Sequence, residues 1–211
     1  MGIRLSLHVW VMSIALLAVT DVRAATNQVV SCPPSLNGGT IASVRVQGGT
    51  CDIRDTRVEG DIQITGGVVN IRDSHIGGAI RSQGGAVRLF GGVTVEGDLQ
   101  ITRATEGSGF LGDNNRINGT VRYWQNSEYF TAHYGTIGGG MSIENNTGGA
   151  SIIGNSVGGG DLICRGNDPS PTGFDNKGNK VDQCSGRMRG KTAASTQVRD
   201  GQLRRQPVHG R

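Results

Sequence analysis

Apolar residues in this chain recur two apart, and the whole pattern recurs about every twenty residues. VEGDIQI at 58–64 returns as IGGAIRS at 76–82, VEGDLQI at 95–101, INGTVRY at 117–123 and IGGGMSI at 137–143, with a looser VGGGDLIC at 157–164. The leading apolar positions are spaced 18, 19, 22, 20 and 20 residues apart. Counted from Val58, further apolar residues fall at +4, +6, +11 and +13 (Ile62, Ile64, Val69 and Ile71), and the last two offsets hold again from Ile76 as Val87 and Leu89. Val44, Val46, Cys51 and Ile53 fit the same frame one unit earlier, and IRDTRV at 53–58 echoes in IRDSHI at 71–76.

Residues two apart lie on one face of a strand, and no segment shows a helical period. Each strand is too short to be stable alone. Glycine pairs (Gly48-Gly49, Gly66-Gly67, Gly84-Gly85) stand between the strands, where the chain must turn. A unit of three short strands with glycine corners closes on itself, and stacking such coils pairs each strand with its copies above and below. The expected fold is all-β: a single-stranded parallel β-helix, or β-solenoid, of about seven short coils, right-handed, forming a rod of roughly 34 Å at about 4.8 Å per coil. A β-sandwich would need longer alternating strands joined by two-residue turns, and the chain has neither.

Four cysteines follow the N-terminal segment. Cys32 and Cys51 are 19 apart, and Cys164 and Cys184 are 20 apart, each gap close to one coil. Each pair is therefore expected to lie stacked in adjacent coils, within disulfide reach, one clasp at either end of the array. A zinc site is excluded because no Cys-x-x-Cys occurs.

The termini differ from this middle. Arg4 followed by the apolar run Val9–Val19 and Val22-Arg23-Ala24 reads as a signal peptide over residues 1–24. The solenoid domain is expected over 25–186. Residues 187–211 carry seven Lys/Arg against the single acid Asp200 and read as a disordered basic tail, so the net charge of +4 belongs to the tail. Leader and disulfides together indicate a secreted, periplasmic or extracellular protein with no membrane span once the leader is gone. With 36 glycines in 211 residues and 4% aromatics, the core must be built from small and β-branched side chains.

Five of the eight aromatics beyond the leader fall between Ile117 and Ile137. Tyr123, Trp124, Tyr129, Phe130 and Tyr134, with Glu128 and His133 and the nearby Glu144, form the candidate ligand-binding set, since exposed rings stack on sugar faces and anchor partners. Asp61, Asp98 and Asp161 occupy equivalent corners but are separated by Ala79, Thr120 and Gly140, and read as turn residues. GSGFLG at 107–112 lacks the strand–turn–helix setting of a dinucleotide site. Asn118 and Asn145 open N-x-Thr acceptors for glycosylation. No catalytic set converges, and no metal or cofactor site is indicated. The tail has no aromatics to interleave with bases, so nucleic acid is not an expected partner.

The Val-x-Gly-Asp-Ile-x-Ile repeat over residues 41–164 resembles that of bactofilins, bacterial polymer-forming β-solenoids, from which the chain differs in its leader and its cysteines. The ending, GGGDLICRGNDPSPT at 158–172 and NKVDQC at 179–184, is similar to that of secreted bacterial repeat proteins without an assigned activity. The resemblance implies an envelope or extracellular location. The expectation is a secreted, non-enzymatic solenoid acting as a structural or cell-surface interaction module, with self-association as one mode of action. The alternative is a carbohydrate-binding or small carbohydrate-active β-helix using the aromatic coil.

Overall fold

A computed structural model describes residues 29–104 and 106–185; the expected signal peptide (1–24) and basic tail (187–211) lie outside them. The described chain is all strand and turn. Its strands of two to five residues form three parallel sheets of nine, eight and seven strands. Successive strands go to different sheets, and every third strand returns to the same one, one level up, except that the last, Lys180–Asp182, returns after two to pair with Leu162–Arg165. The result is a three-faced solenoid of about eight turns, one more than the repeat spacing predicts. The extra coil is the first, from Val29 to Ile41, of which only Cys32 and the half-buried Leu36 and Ile41 join the core, Val29 being exposed and Val30 half-buried.

Register is kept by backbone hydrogen bonds between levels, and it sorts the side chains. On the nine-stranded face Val44, Ile62, Ile80, Leu99, Val121, Met141 and Leu162 stand in one file. The eight-stranded face contributes Ile53, Ile71, Leu89, Phe110, Ala132 and Ile152, and the seven-stranded face contributes Val58, Ile76, Val95, Ile117, Ile137 and Val157. All of these side chains are buried. The sequence offsets +4, +6, +11 and +13 are the inward positions of two faces.

Strand alternation alone cannot turn the chain at the corners. Where the nine-stranded face ends, Arg103, Gln125, Asn145, Gly166 and Asp182 take positive φ; where the eight-stranded face ends, Asp55, Asp73, Gly92, Asn114, Tyr134, Gly154 and Asp175 do. In each case the next residue points inward. In the later coils that residue is usually asparagine, giving one ladder of Asn126, Asn146 and Asn167, closed by Gln183, and a second that includes Asn155 and Asn176. Asn146 Nδ2 donates to the Tyr123 carbonyl (3.1 Å) and to Asn167 Oδ1 (2.8 Å), while its own Oδ1 accepts from the Asn126 backbone N–H (2.9 Å). Among the described residues no buried side-chain nitrogen or oxygen lacks a partner, which is why polar groups are tolerated so deep.

The middle of the rod holds the large rings. Tyr123 and Phe130 stack at 4.3 Å, Phe110 meets Phe130 edge-on at 6.1 Å, and all three are fully buried. Room comes from small neighbours. Ala132 is the register partner of Phe110, and Gly135 interrupts the second asparagine ladder because a Cβ there would sit 2.5 Å from the Phe110 ring.

Both disulfides form, Cys32–Cys51 and Cys164–Cys184, with Cα separations of 5.6 and 5.0 Å. The expected vertical stacking is corrected. Cys32 stands over Val46 and Cys164 pairs with Asp182, so neither cysteine lies over its bonded partner. Instead Cys32 on the nine-stranded face reaches across to Cys51 on the eight-stranded face, and Cys184 folds inward past the last strand. The bridges close the open ends of the core crosswise, where each terminal coil has only one neighbour.

Asn146→Ala leaves the Tyr123 carbonyl and the Asn126 N–H without their buried partners. It is expected to lower the unfolding free energy by about 2–3 kcal/mol in a denaturant titration. Asn145→Gly, at the adjacent exposed left-handed position, is expected to be neutral or stabilising.

Candidate functional site

Two of the three outer surfaces are polar. The nine-stranded face shows Arg45, Gln63, Arg81, Gln100, Arg122 and Ser142 in file, ending in Ile163 and Val181, and the seven-stranded face shows Arg57, His75, Thr94, Arg116, Thr136 and Ser156. The eight-stranded face differs. One outward file carries Gly109, Thr131, Ser151 and Thr172, short side chains that leave it flat. The neighbouring file carries Phe90, Leu111, His133, Ile153 and Phe174.

The eight residues of the candidate binding set do not form one site. Consecutive residues of a coil go to different surfaces. Tyr123 and Phe130 are core residues and touch no solvent, which removes them from any ligand set. The Tyr123 hydroxyl donates to the Glu128 carbonyl at 2.6 Å, and burial, with the Glu128 charge behind it, pushes the phenol pKa far up. Trp124 lies on the nine-stranded face, half-buried, with the Arg122 guanidinium 5.3 Å from its ring centre. Glu144, its register neighbour, accepts a hydrogen bond from Ser142 Oγ. Glu128 sits half-buried in the segment leading to the eight-stranded face.

The remaining three reach the eight-stranded face or its rim. Tyr129 precedes that face's strand Phe130–His133, and Tyr134 follows it. Their rings are about half exposed, as are Leu111 and Phe174. Four of the five large exposed apolar residues of the described chain thus lie on or beside one face, the fifth being Val29 in the first strand. The two tyrosines are held by glycines one coil up. A Cβ at Gly149 would lie 3.4 Å from the Tyr129 ring and 3.3 Å from Pro169, and one at Gly154 would lie 2.6 Å from Tyr134 Cδ1. Tyr134 also takes φ 57°, at a corner position that its counterparts fill with Asp, Asn or Gly. A bulky side chain in the left-handed region is uncommon and costs on the order of 1 kcal/mol.

Between Tyr129 and Leu111 lies a shallow cleft of about 240 Å³ floored by Gly109, Ser108 and Thr131, with Arg88 along one side. Arg88 is anchored there by the Gly107 carbonyl (2.9 Å) and Glu106 (3.0 Å). His133 Nε2 is 2.8 Å from Ser151 Oγ, and partial burial lowers its pKa.

The three corner aspartates are turn residues, as their spacing suggests. Asp61 accepts from the Ala79 N–H (2.8 Å) and pairs with Arg81, and Asp98 accepts from the Thr120 N–H (2.8 Å). Asp161 accepts from Asn179 (2.8 Å). Among the described residues no three His, Cys, Asp or Glu side chains converge. What the sequence concealed is the Phe90–Phe174 file, one apolar residue from each of several coils. Its only signal in the chain is an apolar residue directly after each inward one, visible once the register is known.

Because the folded environment disfavours His133 protonation, the unfolded chain binds that proton more readily. Stability is therefore lost, not gained, as pH falls through the ordinary imidazole value of 6.5. An NMR titration is expected to place the His133 midpoint below that value, and Ser151→Ala to shift it. Scans against protein-family models, curated proteins and solved structures returned no match to the chain.

Proposed function

We propose that this protein is a secreted, non-enzymatic interaction module that binds an extended polysaccharide along its eight-stranded face. The observation that carries the reading is the gathering of exposed rings beside a flat file of Gly, Thr and Ser, with Tyr134 at a left-handed corner that its counterparts fill with Asp, Asn or Gly. The Tyr134 ring packs over Gly154 yet stays about half exposed, and strain kept at an exposed side chain concentrates at binding sites. Rings provide rigid, amphipathic area at low entropic cost, suited to pyranose faces. Threonine and serine hydroxyls in file can hydrogen-bond sugar hydroxyls. A linear polymer fits a surface whose chemistry repeats once per coil, about every 4.8 Å. The two disulfides fit an oxidising, extracytoplasmic setting.

Tyr134→Asn separates binding from folding. Asparagine tolerates the left-handed corner, so the variant is expected to melt no lower than the parent while losing several-fold in polysaccharide retention by affinity electrophoresis. The triple variant Tyr129→Ala/Tyr134→Ala/Phe174→Ala is expected to lose at least tenfold, and Trp124→Ala, on another face, to retain polysaccharide normally. Equal loss in the Trp124 variant, or a parent chain that dimerises through this face in sedimentation experiments, would overturn the reading.

A further inference from the structure

The outward file of the eight-stranded face does not end at Phe90. One and two coils further down it continues as Arg72 and Arg54, each in register with its neighbour. Both arginines are exposed. A cleft of about 180 Å³ opens here, lined by Asp52, Arg54, Asn70, Arg72 and Phe90. It adjoins the tyrosine-bordered cleft, because Phe90 pairs with Leu111 and Arg88 with Gly109.

The charges in this second cleft are unequally occupied. Asp52 accepts from Asn70 Nδ2 at 2.9 Å and lies 3.8 Å from Arg54, so one carboxylate serves two neighbours. Asp73, the corner acid after Arg72, points its carboxylate toward Gly92 in the next coil, where a Cβ would meet it at 2.6 Å. Arg88 is already paired with Glu106. Among the described residues Arg72 has no carboxylate within ion-pair reach; its guanidinium lies 5.6 Å from the Phe90 ring centre. A ring beneath a guanidinium fixes its plane and leaves its N–H edge outward, the geometry that accepts a carboxylate through two parallel hydrogen bonds.

We infer that the polysaccharide bound along this face is acidic, a polymer containing uronic acid residues, with a sugar carboxylate held by Arg72 and Arg54 while neighbouring pyranose rings lie over the Phe90–Leu111–Tyr129 stretch. This rests on the polysaccharide-binding reading above and specifies its ligand. A single file with cations at one end and mostly apolar side chains along the rest, bordered by the Tyr129 and Tyr134 rings, matches a linear chain bearing both charge and ring faces. A neutral glycan leaves Arg72 without a partner.

The test uses alginate, hyaluronan and polygalacturonate, each beside its carboxyl-reduced form, in affinity electrophoresis with the disulfide-bonded chain. At least one uronate polymer is expected to be retained tenfold or more above its reduced form, with retention falling as salt rises. Arg54→Gln/Arg72→Gln is expected to abolish that difference while leaving weak binding to the reduced form and an unchanged melting temperature. Equal retention of charged and reduced polymers overturns the acidic assignment and leaves polysaccharide binding standing. Retention of none of the polymers, charged or neutral, removes both readings. Preferential binding to anionic phospholipid vesicles also overturns the assignment, the occupant then being a membrane surface.

Discussion

The parallel hydrogen-bond register between successive coils is the constraint on which the rest of this molecule depends. Each coil is too small to bury its own apolar side, and each strand is too short to persist alone. Once Ile62 stands over Val44 and Ile80 over Ile62, every other position in the coil is committed to inside, outside or corner. A slip of one residue would send the Val/Ile files to solvent and the Arg/Gln files inward. Strong specification of register follows from having an enclosed interior with three walls.

Corners are where that register is paid for in backbone conformation. The early coils, 18 residues from Val44 to Ile62 and again to Ile80, turn out of the nine-stranded face through glycine pairs. The later coils, 20 from Val121 to Met141 and 21 to Leu162, turn through a left-handed residue followed by an inward asparagine. The longer corners bury more polar backbone, and the asparagine amide, donating and accepting at once, satisfies it level by level. Ladder continuity also explains the ends. Gln183 supplies the terminal amide above Asn167, and the crosswise disulfides cover the core where stacking stops.

The interior, the three strands per coil and the pairing of cysteines were legible in the sequence because each is a relation at fixed spacing. Val58, Ile62, Ile64, Val69 and Ile71 announce the inward positions by their offsets alone. The number of coils was less legible, since the aliphatics of the first (Val29, Val30, Leu36 and Ile41) do not repeat the offsets of the later coils and only Leu36 and Ile41 pack against the core. The crosswise path of the disulfides was hidden for a related reason. Spacings of 19 and 20 resemble a coil length, yet Cys32 lies only 14 residues from the position above it, Val46. The candidate site was mostly illegible. Tyr123, Trp124, Tyr129, Phe130 and Tyr134 form a cluster in sequence, but alternation and corners send them to the core, two faces and a rim. Leu111 and Phe174, distant in sequence, join Tyr129 and Tyr134 on one surface.

This separation has a consequence for how binding arises on such a scaffold. Inward positions are fixed by packing, and corner positions by backbone conformation and amide pairing. Outward positions on each face answer to neither, and coil register places them in straight files. A change at Arg72, Leu111 or Phe174 therefore alters one step of a surface without disturbing the wall behind it. Tyr134 is the exception, because it occupies a corner. There a side chain suited to solvent has displaced one suited to the turn, and the fold tolerates the substitution because Gly154, one coil above, leaves space for the ring. Surface chemistry has overridden local conformational preference at that position, and it has done so beside the face that gathers Leu111, Tyr129 and Phe174 in the open.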